Sequence, residues 1–232
     1  MIDFHTHILP EMDDGSQSVE ESLKMLRLER EQGIDAVVLT PHFDMRKEAV
    51  EEFLARREAA MAKLSAAEMP EMKLIPGAEL LYSNIGLRQY ENLEALCIGG
   101  RYLLIETMEP EWTQAFQTDL QYLILERNII PILAHVERYY WIGKNRKILR
   151  ALREGGALLQ MNAEFFLHKQ TLRKAMKLFQ KEKIHLLGSD CHHLNFRIPN
   201  LGIAVQKIQA HFGEDAIHWI LMNGERVFES CR

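Results

Sequence analysis

Seven short apolar runs recur along the chain, at residues 2–5, 35–40, 72–79, 102–106, 129–134, 157–161 and 184–188, and longer, mostly amphipathic stretches separate them. A short apolar run bounded by turn residues reads as a buried strand. Apolar residues three and four apart read as one face of a helix. Strands that alternate with helices pack as a parallel sheet, because each crossover must carry the chain back before the next strand can start. The pattern leaves two architectures, a closed β/α barrel or an open doubly wound sheet.

The amphipathic stretches carry their own start and stop signals. A helix is predicted over 18–32, where Ser18 and Glu21 form a capping box and Gly33 stands just past the end. A charged helix is predicted over 46–67. Residues 113–127 place Phe116, Leu120, Leu123 and Ile124 at helical spacing. A basic helix follows over 145–154, and 171–182 puts Leu172, Met176 and Phe179 on one face. Two helices, 200–212 and 214–223, close the chain. No linker rich in Pro, Gly or Ser divides the 232 residues, so one domain over 1–232 is expected.

The residues at the strand ends favour the closed barrel. His5 and His7 end the first run, and His42 follows the second. Glu79 ends the third and Glu106 the fourth. His135 follows the fifth, Asn162 the sixth, and Asp190 and His192 the seventh. Asp14 lies in the loop after the first strand. A lone His beside a strand is usually structural, and His168, His185, His193, His211 and His218 are read that way. A set of nine ligand-type side chains at strand ends is different. In a barrel all strand C-termini converge on one face, where active sites lie. His5 and His7 alternate along an extended segment and so point the same way, as do Asp190 and His192. Nitrogen and oxygen donors without thiolates suit Mn, Fe or Zn. Nine donors exceed one ion's needs, so two or three divalent ions are expected.

Composition excludes other classes. The three cysteines, Cys97, Cys191 and Cys231, are too few and too scattered for a disulfide framework or a thiolate zinc site. No apolar run reaches the ~18 residues of a spanning helix. The N-terminus lacks the basic start and apolar core of a signal peptide. A cytoplasmic protein without membrane insertion is therefore expected. The net charge of −5 is unevenly spread: residues 1–137 hold 12 Lys/Arg against 25 Asp/Glu, and residues 138–183 hold 12 against 3. Nucleic-acid binders carry a stronger overall basic bias, so no nucleic-acid partner is expected. The basic block reads as the solvated faces of two helices, with attraction of an anionic substrate as the alternative.

The site residues closely resemble those of the PHP (polymerase and histidinol phosphatase) superfamily. The likeness lies in His5 and His7, His42 after Thr-Pro, Glu79 after Gly-Ala, His135 after Ala134, and Asp190-Cys-His192. It is narrower still in the opening through His5, His7 and Pro10, in Asp13-Asp14-Gly15, in Ala134 through Tyr139, and in Ser189 through Arg197. These segments look like the manganese-dependent bacterial protein-tyrosine phosphatases of capsule and exopolysaccharide clusters, over essentially the whole chain. The segment that follows His42 is shorter than in several relatives. The resemblance implies a distorted seven-stranded (β/α)7 TIM-like barrel of the PHP type. It implies metal ligands His5, His7, Asp14, His42, Glu79, Glu106, His135, Asp190 and His192. It also implies that Arg138 and Arg197 bind phosphate, and that the substrate is a phosphotyrosine protein such as a capsule-associated tyrosine kinase.

The expected reaction is attack of a metal-bound hydroxide on phosphotyrosine, with the two arginines gripping non-bridging oxygens. A small-molecule phosphatase, such as one acting on histidinol phosphate, is the first alternative. A non-catalytic, metal-stabilised binding module is the second. The five residues between Cys191 and Arg197 match the spacing of cysteine-dependent tyrosine phosphatases. They contain no glycine to shape a phosphate-binding nest, so a thiolate nucleophile is not expected.

Overall fold

The computed structural model describes residues 1–83 and 86–231, so Asn84, Ile85 and Arg232 lie outside it. Among the described residues every pairing between two strands is parallel. β1 (Ile2–Thr6) pairs with β2 (Ala36–Leu39), and β2 pairs with β4 (Lys73–Pro76). A second run orders β3 (His42–Phe43), β5 (Glu79–Tyr82), β6 (Tyr102–Thr107), β7 (Ile130–Leu133), β8 (Leu158–Asn162) and β9 (Leu186–Gly188). The sheet curls so that its first strand meets its last. Thr6 and Cys191 form a parallel bridge, the His7 N–H donates to the Cys191 carbonyl at 2.9 Å, and the Asp190 N–H donates to that of His5 at 2.8 Å.

All seven apolar runs form strands, but nine strands result among the described residues. The run at 35–40 breaks after Leu39, because Pro41 has no N–H to give the ladder. The run at 72–79 breaks at Gly77, where a Cβ would stand 3.1 Å from Ile98. Two hydrogen bonds carry the ladder across the break, from Gly77 N–H to the Leu39 carbonyl and from Glu79 N–H to that of Pro41. The short strands β3 and β5 that follow begin with His42 and Glu79.

Helices cover the sheet, and alternation along the strands divides the core. Val37, Leu39, Leu103, Ile105, Leu133, Leu159 and Leu187 pack in the larger cluster, against helices. Their neighbours Ala36, Val38, Leu104, Ile132, Leu158 and Leu186 form a second cluster with Phe4 and Val227. This is the period-two pattern of a sheet buried on both faces. The helices are α1 (Val19–Glu31), α2 (Val50–Ser65), α3 (Gln114–Glu126), α4 (Asn145–Glu154), α5 (Glu164–Leu167), α6 (Lys169–Glu182), α7 (Leu201–Phe212) and α8 (Glu214–Glu229). At α1 the Ser18 hydroxyl accepts from Glu21 N–H, while the Glu21 carboxylate accepts from Gln17 N–H, one residue earlier than a capping box requires. Gly33 follows with φ +81°, as a glycine past a helix end should. The expected 46–67 helix starts only at Val50, α5 was not expected, and α8 runs to Glu229, six residues beyond its expected end.

Candidate metal centre

Strand ends, strand breaks and the loops that follow them bring the nine predicted donors to one place. His5 Nε2 and His7 Nε2 stand 3.1 Å apart. Glu79 Oε2 lies 3.1 Å from the first and 3.3 Å from the second, and Asp190 Oδ1 lies 3.4 Å from each. His42 Nδ1 is 3.0 Å from Glu79 Oε2 and 3.4 Å from Glu106 Oε1. His135 Nε2 is 3.1 Å from Glu79 Oε1 and 3.3 Å from Glu106 Oε2. Asp14 Oδ1 reaches His42 Nε2 at 3.6 Å and His192 Nε2 at 3.5 Å. Among the described residues three donor groups share members: His5, His7 and Asp190; His7, Asp14, His42 and His192; and His42, Glu79 and Glu106.

These spacings fit cations. Two donors bound to one ion at ~2.1 Å are separated by about 3.0 Å at a right angle and about 3.4 Å at a tetrahedral angle. Glu79 Oε2 is buried without a hydrogen-bond donor, while Asp190 Oδ1 is buried against the Arg197 guanidinium. Buried carboxylate oxygens of that kind are costly unless something positive meets them. In the protein alone, protons take that part. Burial pushes His7 down, but the carboxylate of Asp13 and then those of Asp190 and Glu79 hold it well above the usual imidazole range. His135 is likewise opposed by burial, yet Glu106 and Glu79 raise it to about 9.

Several residues to which the sequence assigned no role at the centre aim the donors. Asp13 Oδ2 accepts from His7 Nδ1 at 2.7 Å and from the His42 N–H at 2.8 Å. Gln160 Oε1 accepts from the His135 N–H at 2.7 Å and lies 3.4 Å from His5 Nδ1. Gln160 Nε2 donates to Asn162 Oδ1, and Asn162 Nδ2 donates to Asp190 Oδ2 at 2.7 Å. β8 thus supplies the hydrogen bonds that orient its neighbours' donors. Asp3 accepts from both the His5 and Ser189 N–H groups, tying β1 to the end of β9. Gly188 permits that approach, since a Cβ there would sit 2.5 Å from the His5 Cβ. Asp13 stood out only as part of the Asp13-Asp14-Gly15 motif, and Asn162 only as the residue that ends its strand. Gln160 and Asn162 alternate on a strand, as His5 and His7 do.

Both predicted arginines reach the cluster. Arg138 Nη2 donates to Asp190 Oδ2 at 2.8 Å, with Nη1 4.0 Å from Glu106. Its neighbour Glu137 turns away to the Asn162 N–H, and burial pushes that carboxyl up to about 7. Arg197 pairs with Asp190 Oδ1, and its Nη1 donates to His192 Nε2 at 3.0 Å. That bond needs a bare Nε2, and His192 Nδ1 indeed faces the Asp190 carbonyl. Burial, His7 and Arg197 hold His192 neutral, down to about 3. His135, Asp190 and Arg197 all have positive φ, at 31°, 54° and 49°. Non-glycine residues take that conformation at a cost and concentrate at functional sites. Cys191 lies between two of the donors but faces inward, 3.9 Å from Glu29. Burial and the nearby carboxylates of Glu29 and Asp3 push its thiol well up. Beside the donors runs a cleft of about 480 Å³ lined by Asp14, His42, Glu106, Lys47 and Arg56.

Comparison with known proteins bears on this centre. The profile of the family described as "Capsular polysaccharide synthesis, CpsB/CapC" matches residues 1–229. The chain is 31% identical to the tyrosine-protein phosphatase CpsB of Streptococcus pneumoniae, over 92% of this chain and 91% of that one. It is 30% identical to the tyrosine-protein phosphatase YwqE of Bacillus subtilis, over 97% and 90%. Among solved structures it is similar to one from work on YwqE and CpsB, described as "unique metal-dependent tyrosine phosphatases", with TM-score 0.80, 26% identity, and coverage of 100% and 96%. A structure described as amidohydrolase II shares the fold at TM-score 0.54 and 16% identity, over 98% and 99%.

Proposed function

Because the chain belongs to the CpsB/CapC family, we propose that it is a metal-dependent protein-tyrosine phosphatase. The observation that carries this reading is the convergence of Arg138 and Arg197 on Asp190, beside three overlapping donor groups. An anion-gripping fork next to a polyvalent cation site is what phosphoryl transfer requires.

We assign His5, His7, Asp14, His42, Glu79, Glu106, His135, Asp190 and His192 as ligands of two or three divalent ions, with manganese the expected metal. The curled sheet acts as the distorted barrel that gathers them. Bound ions supply Lewis acidity, which lowers the pKa of water toward ~7 and offsets the charge of the phosphoryl group. The protein's own residues do the rest. Asp13 and Gln160 orient the His7 and His5 rings. Arg138 and Arg197 hold the non-bridging oxygens with planar forks as charge redistributes. The Arg138 side chain is 45% exposed while Asp190 is 3% exposed, so the fork stands where the site meets solvent. A side chain projecting from another protein can reach it there. The phenolate leaving group, of pKa ~10, needs less acid assistance than an alkoxide. The substrate we propose is the phosphotyrosine tail of a capsule-associated tyrosine kinase in the cytoplasm.

The test is the ratio of kcat/KM for a phosphotyrosine peptide over histidinol phosphate, measured with Mn²⁺. The peptide is expected to be preferred. Preference for the small ester by about tenfold (~1.4 kcal/mol) would assign a metabolite phosphatase instead.

A further inference from the structure

Beyond the donor cluster, one charged surface differs from the rest of the molecule. Elsewhere surface cations are interspersed with carboxylates and several pair with them: Lys24 with Glu20, Arg56 with Glu48, Lys63 with Glu11, Arg127 with Glu94. Around α4 and α6 carboxylates are scarce, with 12 Lys/Arg against 3 Asp/Glu over residues 138–183. Arg150 and Arg153 share the buried Glu182. Arg146, Lys147, Arg173, Lys177 and Lys181 are exposed and have no carboxylate partner among the described residues. Arg146, Lys147, Arg150 and Lys181 line a cleft of about 560 Å³ whose one acidic wall residue is Glu154. Unneutralised charge along a concave surface focuses the field outward and raises the local concentration of anions.

The cleft is tied to the centre through the chain. Gly143, at its edge, follows Arg138 by five residues, which is at most ~18 Å of extended backbone. Between them Trp141 is 41% exposed, and Lys174 Nζ of α6 lies 5.5 Å from its ring centroid. A peptide with its phosphotyrosine at Arg138 would meet the cleft after about five extended residues.

We propose that the α4–α6 cleft docks an acidic or further phosphorylated segment flanking the substrate phosphotyrosine, so that charge beyond the phosphoryl group sets substrate preference. The inference rests on the phosphatase reading. It is tested with two peptides that carry a non-hydrolysable difluorophosphonate analogue of phosphotyrosine. One has a run of glutamates about five residues from the analogue, and its twin has glutamines there. Binding to the Mn²⁺-loaded protein is read by fluorescence anisotropy. The glutamate peptide is expected to bind about tenfold more tightly at low salt, with the gap closing above ~0.15 M. Arg146→Glu/Lys147→Glu/Lys181→Glu should abolish the gap while leaving binding of the glutamine twin and turnover of p-nitrophenyl phosphate unchanged. Equal affinity for the two peptides, or a gap that survives the triple substitution, overturns the proposal. So does binding of phosphatidylserine vesicles through these residues without discrimination between the peptides, which would mark a membrane-facing surface. If neither p-nitrophenyl phosphate nor a phosphotyrosine peptide is hydrolysed while the gap persists, the phosphatase reading fails and the acidic-peptide cleft stands.

Discussion

Asp13 Oδ2 accepts a hydrogen bond from His7 Nδ1 at 2.7 Å, and so leaves Nε2 as the ring nitrogen that faces Glu79 and Asp190. The same carboxylate accepts from the His42 backbone, so one side chain aims two donors. Burial opposes its charge, but His7 and these hydrogen bonds hold Asp13 well below the usual carboxylate range. Partners of this kind fix the tautomer and raise ligand basicity. Asp13→Ala is expected to weaken Mn²⁺ binding by roughly 10- to 100-fold, and Asp13→Asn to recover part of it. Metal titration by calorimetry checks this. Unchanged affinity in the alanine variant would make Asp13 merely a loop residue.

Protons and metal compete for the same nitrogens. His135 is raised to about 9 and His7 is also raised, so both rings are protonated at neutral pH in the metal-free protein. A ring must lose the facing proton before it can bind metal. Affinity for Mn²⁺ should therefore rise with pH from 7 toward 9 and flatten above it. Each binding event at pH 7 should release protons, and fewer at pH 9. Chelator should remove activity together with the metal, and Mn²⁺ should restore both. Metal affinity that is flat between pH 7 and 9, or full activity in excess chelator, would count against the ligand assignment.

How much of this was legible depended on the kind of residue. Donors at strand ends were readable because strand position and side-chain chemistry are both local: His5, Glu79 and Asp190 advertise themselves. The residues that aim them were not. Gln160 and Asn162 are ordinary strand amides until β8 lies beside β7 and β9, and only then do they meet the His135 N–H and Asp190. The strand breaks were missed because apolar periodicity does not register a lost N–H at Pro41 or a tight contact at Gly77. The α2 start was misplaced because charged residues such as Arg46 and Lys47 favour helix by composition, whereas here they turn back to Asp44.

The Cys191–Arg197 spacing is the one motif that points to a different mechanism, and the fold argues against it. The thiol is buried, pushed up by burial and by the carboxylates of Glu29 and Asp3, and turned from the donor cluster. A thiolate nucleophile needs the opposite surroundings. Cys191→Ser should retain most phosphatase activity with its metal content unchanged. Loss of about a hundredfold with metal intact would restore the thiolate route.

Arg138 and Arg197 both pair with Asp190, which alone would make them structural clamps on a metal ligand. Their exposure separates the two roles. Asp190 is 3% exposed, while Arg197 is 30% and Arg138 45% exposed, so each guanidinium keeps N–H groups free for a ligand arriving from solvent. A pure clamp, once removed, should loosen the metal and leave the chemistry of the remaining loaded fraction intact. A phosphoryl grip should do the reverse. Arg138→Ala and Arg197→Ala are each expected to slow kcat by roughly a hundredfold, about 2.7 kcal/mol of transition-state stabilisation, at unchanged Mn²⁺ content. Lysine at either position should recover little, because a point charge does not replace a planar fork. Metal analysis alongside single-turnover kinetics decides it: variants that lose metal in proportion to rate would reduce both arginines to clamps.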